Sequence, residues 1–555
     1  MNLNPIFKKL LNNRGITSEE DIIEFLSDKP QKTYDPFLLP HMEAGVDLIL
    51  SEIAKGTKIC IYGDYDADGI TSTTILMSVL GKLTDPSNLS YYIPSRFDEG
   101  YGLNKDAITT IAETGCSMII TVDCGSVSYD EVEYAKSLGL KVVITDHHTI
   151  TDKMADCILI NPKHPDSVYP FKDLAGCGVA FKLCQALQKR SQLPKSVLTE
   201  VLDLVAVGTI GDIMPLVDEN RTLVKFGLKV LNLGRRSGLE RLIRETSLKP
   251  GTITSENISY VIVPHLNASG RIQDAGQAVE LLLGEADESR EKEIVSDLIA
   301  KNALRKKLQN QLFMQCASAI DNDSPDDIII INCENAHEGI AGIVAGKLKE
   351  TYYRPAIIVT KTGSDGSQLK GTGRSIEGVN LYELLKTQEN LFDKFGGHAG
   401  ACGFSLKAEN YDGLCEGLRN EMKRIAESNT EIFTKKYNVE LELATCDLTA
   451  ELADQMELLA PFGNKNPKPL IQLSGVSISE IKHMGNEGQH MRFAANNDAC
   501  PKVQCVMFGK AKDFDESCLH RRRETLIGVL EAQVWQGIKR LQFLVDEIQF
   551  DEKEG

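Results

Sequence analysis

The chain has 555 residues, too many for one ordinary hydrophobic core, so its length predicts about three or four domains. Hydrophobic residues make up 42% and charged residues 25%, a composition that excludes a largely disordered chain. The net charge of -18 argues against a protein whose whole surface coats nucleic acid, because Lys and Arg drive phosphate binding, but it does not exclude a DNA enzyme.

The amino-terminal residues and the cysteines indicate where in the cell the protein is expected. Residues 1–14 lack the continuous apolar core of a signal peptide, and no run of about 18 uncharged apolar residues indicates a membrane helix. None of the 14 cysteines forms a C-x-x-C pair, and most lie in apolar stretches, which favours reduced thiols over disulfides. These features predict a cytoplasmic protein with no membrane association.

Residues 1–40 predict a short helical arm. Thr17 precedes Glu19 and Glu20 and then an apolar run, so it is a candidate helix N-cap. We assign this arm to packing, with DNA contact as the alternative.

From residue 41 to 220, strand-like apolar runs alternate with helical patterns, which predicts a mostly parallel sheet with helices on both faces. The predicted strands cover residues 58–62, 90–93, 117–122, 141–145 and 157–161.

Three carboxylates follow the first of these strands on alternate positions, at Asp64, Asp66 and Asp68. Like charges so close repel one another, and a divalent cation is the simplest way to neutralise them. A solvated Asp-Gly turn and a calcium loop are the alternatives. A calcium loop needs a preceding helix and a Glu six residues after Gly69, where this chain has Ile75.

More acids and imidazoles follow the later strands. Asp123 comes after the third strand, Asp146, His147 and His148 after the fourth, and Asp212 ends an apolar stretch. Ligand sites of open α/β sheets lie at the carboxyl ends of the strands, so we expect these groups to converge. Carboxylates with one or two imidazoles favour Mn²⁺ or Mg²⁺, and two ions about 4 Å apart suit in-line displacement at phosphorus.

The remaining chain divides into three segments. Residues 221–320 predict a helical connector interrupted by a loop at 264–271, and residues 321–432 predict a second α/β unit with glycine-rich stretches at 371–375 and 394–403. Residues 433–555 show short alternating runs that predict a small β-barrel, with an OB-fold as the candidate.

These motifs, taken in order, resemble the DHH phosphoesterase superfamily: residues 64–69, Val-Asp-Cys-Gly at 122–125, Asp-His-His at 146–148 and Gly-Asp at 211–212. Gly-Gly-His at 396–398 resembles the accompanying DHHA1 domain, and the whole chain is similar to the bacterial RecJ family. The resemblance implies DHH and DHHA1 α/β domains joined by a helical connector, plus an OB-fold. It also implies a 5′→3′ exonuclease of single-stranded DNA, acting by phosphodiester hydrolysis in recombination and repair.

The resemblance also implies roles for individual residues. Catalytic roles fall to Asp66, Asp68, Asp123, His147, His148 and Asp212. The implied ligands of two Mn²⁺ or Mg²⁺ ions are Asp64, Asp66, Asp68, Asp123, His147 and Asp212, with Asp123 as the bridge. The implied DNA or phosphate contacts are Arg271, Arg374, Gly396, Gly397 and His398, with Arg96 near the active site and Trp535 in the barrel as further candidates.

Alternatives remain for both contacts and function. Arg374 can instead pair with Glu377, His398 can cap a turn, and Trp535 can be a core residue. A phosphoesterase of short oligonucleotides or cyclic dinucleotides and a non-catalytic single-stranded-DNA scaffold are the other functions considered. The implied partners are single-stranded DNA, a single-strand-binding protein and a RecQ-type helicase.

Overall fold

The structure is a computed structural model, and it describes residues 3–95, 99–100, 102–150, 153–272, 275–321, 325–334, 336–362, 367–511, 523–535 and 538–550. Arg96 lies outside these ranges, and the side chain of Trp535 is also outside the description. Within the described ranges, none of the helices combines the length and the apolar character needed to cross a membrane.

Helices and strands occur in every predicted segment. The helices are α1 (Pro5–Asn13), α2 (Glu19–Leu26), α3 (Met42–Ala54), α4 (Ala67–Leu80), α5 (Lys105–Glu113), α6 (Tyr129–Ser137), α7 (Gly176–Arg190), α8 (Ser196–Thr199), α9 (Leu202–Gly211), α10 (Asp218–Leu231), α11 (Ser237–Glu245), α12 (Ser255–Asn257), α13 (Val263–Ile272), α14 (Gly276–Leu283), α15 (Glu288–Ala317), α16 (Glu338–Tyr352), α17 (Leu381–Lys386), α18 (Tyr411–Ser428) and α19 (Ala450–Glu457). The strands are β1 (Ile59–Tyr62), β2 (Leu89–Tyr92), β3 (Met118–Val122), β4 (Lys141–Thr145), β5 (Ile158–Ile160), β6 (Ile329–Asn332), β7 (Ala356–Thr362), β8 (Gln368–Arg374), β9 (Phe392–His398), β10 (Ala401–Lys407), β11 (Leu441–Leu443), β12 (Ile471–Met484), β13 (His490–Asn496), β14 (Val503–Met507), β15 (Glu524–Trp535) and β16 (Ile538–Phe550).

The first unit is built on a parallel sheet with the strand order β2-β1-β3-β4-β5. Alternate side chains of β1 enter different cores: Ile59 and Ile61 pack toward α4, α7 and α9, whereas Cys60 and Tyr62 pack toward α5 and α6. Both faces of the sheet are therefore covered by helices, as the alternation of strand and helix patterns predicted. The five strands match the predicted ones to within one residue at each end.

The helices that follow the sheet are more than a spacer. Apolar side chains of α10, α11, α14 and the first half of α15 belong to the core of the first unit, and Leu312 and Cys316 near the end of α15 pack with α16. The predicted loop at 264–271 is wrong, because this stretch is helical. A π-helical turn, Ile258–Ile262, runs directly into α13, and such a turn tolerates Pro264, which has no amide hydrogen to donate.

The second unit holds a mixed sheet with the order β6-β7-β8-β10-β9. Only β6 and β7 pair in parallel, and the other neighbours are antiparallel. The glycine-rich stretches predicted in this unit lie mainly in β8, β9 and β10.

The carboxyl-terminal strands close into a five-stranded barrel, because β15 pairs with β16 and also returns to β12. The predicted OB-type barrel is confirmed, although its strand β13 was missed. Phe7, Leu10 and Leu11 of the arm pack into the core of this barrel unit. The arm and the barrel, at opposite ends of the chain, thus share one core. The residue boundaries assigned to the five segments stay predictions.

Candidate metal centre

Acids and imidazoles from distant parts of the chain meet at the carboxyl ends of β1, β3 and β4. His147 follows β4, and its Nε2 lies 3.0 Å from Asp123 Oδ1, 3.5 Å from Asp212 Oδ2 and 3.9 Å from Asp68 Oδ2. Asp123 adopts a φ of 60°, a conformation that turns the chain sharply after β3. The structure therefore brings these four residues into one site.

The donors of this site fall into three groups that share residues, and within each group the donor atoms lie within 4.8 Å of one another. The groups are Asp68, His147 and Asp212; Asp64, Asp66 and Asp123; and Asp123, Asp146, His147 and His148. Asp66 is also the N-cap of α4, where its Oδ1 accepts hydrogen bonds from the amides of Asp68 (2.9 Å) and Gly69 (3.1 Å). These bonds fix the acidic turn at the start of α4.

Burial and mutual repulsion perturb the acids of the site. Burial, then the charges of Asp68 and Asp66, raise the pKa of Asp123 well above its usual range. The same causes raise the pKa of Asp212 to about 8. Burial lowers the pKa of His147 to about 4, so this imidazole is neutral near pH 7. A bound cation would stabilise the ionised form of these carboxylates, because its positive charge offsets their mutual repulsion.

These residues fit a divalent metal ion. His147 is 5% exposed, and among the described residues neither of its ring nitrogens has a hydrogen-bond partner. A neutral imidazole has the lone pair that metal ligation requires, and carboxylate oxygens are the donors that Mn²⁺ and Mg²⁺ prefer. The donor set holds no thiolate, so it does not match structural zinc.

Asp212 lies at the carboxyl end of α9, next to the metal centre. Gly208 lets this helix approach closely, since a Cβ there would lie 2.3 Å from Thr71 Oγ1 and 2.7 Å from Asp68 Oδ1. Asp212 is the C-cap residue, where the negative end of the helix dipole adds to the cost of a carboxylate.

Three family models match the chain: the DHH family, N-terminal domain over residues 58–209, the DHHA1 domain over 326–424 and the RecJ OB domain over 439–547. The single-stranded-DNA-specific exonuclease RecJ of Bacillus subtilis (strain 168) is 36% identical over 551 residues, which cover 99% of this chain and 68% of the relative. This chain belongs to the RecJ family.

Solved RecJ structures share the fold. RecJ from Thermus thermophilus in complex with Mn²⁺ matches with a TM-score of 0.81 at 25% identity, over 100% of this chain and 79% of that one. The same protein in complex with Mg²⁺ matches with a TM-score of 0.78 at 25% identity, over 99% and 75% of the two chains. These RecJ structures hold the ions that the carboxylates and the imidazole of this chain favour.

Asp68 has a second set of contacts within this site. Its Oδ2 accepts a hydrogen bond from the Gly176 amide (2.6 Å), and its Oδ1 accepts one from the Cys177 amide (2.9 Å), both in the first turn of α7. Helix N-termini stabilise anions in this way. Asp68 therefore joins the start of α4 to the start of α7.

The role of Asp146 was missed by the sequence analysis, which named the residue without assigning it a function. This buried carboxylate accepts from the amides of Ser126 (2.9 Å) and His147 (2.7 Å), and its Oδ1 lies 2.8 Å from His148 Nδ1. Burial alone would lower the pKa of His148, but the hydrogen bond and charge of Asp146 raise it to about 9. An acid beside two histidines at a strand end was the available signal.

Two of the predicted DNA contacts lie together in a cavity of about 740 Å³ between α16 and the second sheet. Arg271 and Arg374 both line this cavity, and Arg271 Nη1 donates to the carbonyl of Gly339 (2.7 Å). His337 is the N-cap of α16, where its Nδ1 accepts a hydrogen bond from the Gly339 amide at 3.2 Å.

The glycine-rich contacts lie elsewhere. Gly396, Gly397 and His398 are exposed at the end of β9, an outer strand of the second sheet, and the described lining of the arginine cavity does not include them. Asn267 was also missed, because α13 was predicted as a loop. Its Oδ1 accepts from the Ala67 amide (2.7 Å) and so ties α13 to the acidic turn.

Proposed function

We propose that this chain is a metal-dependent exonuclease that degrades single-stranded DNA from its 5′ end by phosphodiester hydrolysis, in recombination and repair. The observation that carries the proposal is the meeting of Asp68, Asp123 and Asp212 within 3.9 Å of Nε2 of His147, in a chain of the RecJ family. The cofactor is Mn²⁺ or Mg²⁺.

In this proposal, two ions would be held by six residues of the donor groups: Asp64, Asp66, Asp68, Asp123, His147 and Asp212. Asp123 is the proposed bridge, since it belongs to two of the donor groups and its Oδ1 lies 3.0 Å from His147 Nε2. When bound, a pair of divalent ions supplies Lewis acidity to both the attacking and the leaving oxygen of the phosphodiester.

His148 has a separate role in the proposal. Its side chain is 43% exposed, so it can reach substrate, and its raised pKa keeps the imidazole protonated near neutral pH. A cationic imidazole donates a charge-assisted hydrogen bond to a phosphate oxygen. Asp146 fixes the ring in position through Nδ1.

The 5′→3′ direction rests on the arginine cavity. Gly270 packs so tightly against the acidic turn that a Cβ would lie 2.5 Å from the Tyr65 carbonyl oxygen, and Arg271 is the next residue. Arginine forks suit bidentate phosphate contact. We assign the cavity of Arg271 and Arg374 to the 5′-terminal phosphate, which then sits close to the metal centre.

The proposal includes further DNA contacts outside the arginine cavity. Gly396, Gly397 and His398 are exposed and accessible to a DNA backbone, whereas Arg96 and Trp535 stay predictions. A single-strand-binding protein and a RecQ-type helicase as partners rest on the family resemblance alone. A cytoplasmic location agrees with the free thiols of the described cysteines.

The test is nucleotide release from end-labelled single strands with Mn²⁺. Wild type should release a 5′ label from strands blocked at the 3′ end and leave 5′-blocked strands intact, and equal digestion from both ends contradicts the direction. Long strands should be cut faster than dinucleotides, and the reverse would favour a small-substrate phosphoesterase. Arg271→Ala should raise KM more for 5′-phosphorylated than for 5′-hydroxyl strands, and an equal rise contradicts the role of the cavity.

A further inference from the structure

The turn that follows Asp212 is held in an unfavourable conformation. Ile213 has a φ of 56° and a side chain that is 70% exposed. The amide of Ile213 donates to Ile210 O (3.1 Å) and that of Met214 to Thr209 O (3.1 Å), the hydrogen-bond pattern of a helix end at which glycine is preferred. A β-branched residue is strained in this conformation, and the exposed side chain recovers little of that cost by burial.

A loop of the barrel unit contacts this turn. Gly463 and Asn466 exchange backbone hydrogen bonds of 3.0 and 3.1 Å, which makes a tight loop with Asn464 at its tip. Asn464 Nδ2 donates to the Ile213 carbonyl (2.7 Å), and the Asn464 carbonyl accepts from the Leu216 amide (2.8 Å). Asn464 therefore bonds to the strained residue and to a residue three positions further on.

The loop that presents Asn464 is itself fixed. The buried side chain of Asn466 donates to the carbonyls of Leu459 (2.9 Å) and Pro461 (2.8 Å). Ser255 Oγ, on α12, donates to the Phe462 carbonyl at 2.6 Å. A loop with this many internal and external bonds can act as a rigid support for its neighbour.

We propose that Asn464 of the barrel unit is a positioning residue for the metal centre: it holds Ile213 in its left-handed conformation and thereby fixes the carboxylate of Asp212. The barrel then completes the catalytic unit, in addition to any contact it makes with DNA. This inference rests on the proposed function, because it takes Asp212 as a metal ligand. A ligand whose support is lost binds its ion more weakly, by about 10-fold or more.

The test is calorimetric titration of the full-length, metal-free protein with Mn²⁺, without DNA. Asn464→Ala and Asn464→Asp should each weaken one class of Mn²⁺ site by about 10-fold and leave KM for single-stranded DNA unchanged. Ser255→Ala is the matched control, because it removes another bond to the same loop without touching the Asp212 turn. The melting temperature of Ser255→Ala should fall as much as that of Asn464→Ala. The Mn²⁺ affinity of Ser255→Ala should stay within about twofold of wild type.

Ile213→Gly separates positioning from general loosening. Glycine adopts the left-handed conformation without strain, so Ile213→Gly should restore most of the Mn²⁺ affinity lost in Asn464→Ala. Unchanged affinity in Asn464→Ala, or a loss that persists in the double variant, overturns the inference. Asp212→Asn separates failure of the proposed function from failure of this inference. If Asp212→Asn binds Mn²⁺ as tightly as wild type, Asp212 is not a metal ligand. If Asp212→Asn loses Mn²⁺ affinity and Asn464→Ala does not, only the positioning role of Asn464 is refuted.

Discussion

The negative charge of carboxylates is neutralised differently in two regions of the first α/β unit. Glu219 on α10 and Lys182 on α7 are both fully buried with their charged atoms 2.5 Å apart, and the Tyr169 hydroxyl also donates to Glu219. At the carboxyl edge of the sheet, Asp68 and Asp212 form no ion pair with Lys or Arg within the described part of the chain.

The difference shows which carboxylate is neutralised within the chain and which carboxylates are not. A buried charge is costly unless it is paired. Lys182 supplies that pairing for Glu219 from within the chain, so this contact is complete without any ligand. The cost at Asp123 and Asp212 appears instead as raised pKa values, and a bound external cation would relieve it.

The strongest test removes one acid from the metal centre. Asp123→Asn keeps the shape and tolerates the φ of 60°, so we expect nuclease activity to fall about 10³-fold. In EDTA the melting temperature should rise, because a buried and repelled carboxylate is gone. Activity assays and thermal denaturation measure both effects. Asp156→Asn, whose side chain is 75% exposed, is the control, and lower stability of Asp123→Asn in EDTA would contradict the comparison.

The opposite change removes the internal cation. Lys182→Met leaves Glu219 buried without its partner, so the free energy of unfolding should fall by about 3 kcal/mol or more. Urea denaturation measures this loss, which should be the same with and without Mn²⁺. The double variant Lys182→Met/Glu219→Gln should recover most of it. If the double variant is as unstable as the single one, the ion pair is not what Lys182 contributes.

The pH dependence of stability should distinguish the metal centre in metal-free protein. Asp212 has a folded pKa of about 8 against an ordinary value of about 3.9 in the unfolded chain. Between these values the folded state keeps a proton that the unfolded state releases, so the free energy of unfolding falls as pH rises from about 4 to about 8. Asp212→Asn should flatten this decline in urea titrations in EDTA, and an unchanged slope would show that another group causes it.

A smaller effect is expected from the residue behind the histidines. Asp146→Asn removes the charge that raises the pKa of His148, so that pKa should fall toward about 6.5. Activity should then drop about 10-fold at pH 8 and much less at pH 6, because His148 loses its proton in between. The pH profile of kcat measures this, and an equal loss at both pH values would mean that Asp146 acts only on structure.

Local patterns accounted for much of the fold. The apolar runs before Asp64 and Asp123 predicted β1 and β3 to within one residue, because a buried parallel strand needs only a short run of apolar side chains. The barrel was predicted without β13, and α13 was mistaken for a loop because Pro264 and Gly270 are usual turn residues.

The sequence by itself determined the succession of strands and helices in the first unit, the acidic and histidine motifs and the class of ion they favour. These follow from residue type and short spacing. The tertiary structure alone decided that Asn267 bonds to the acidic turn, that the arm joins the barrel core, and that Asn464 reaches Ile213. Contacts across hundreds of residues depend on how separate units pack, and no periodicity within one segment encodes that geometry.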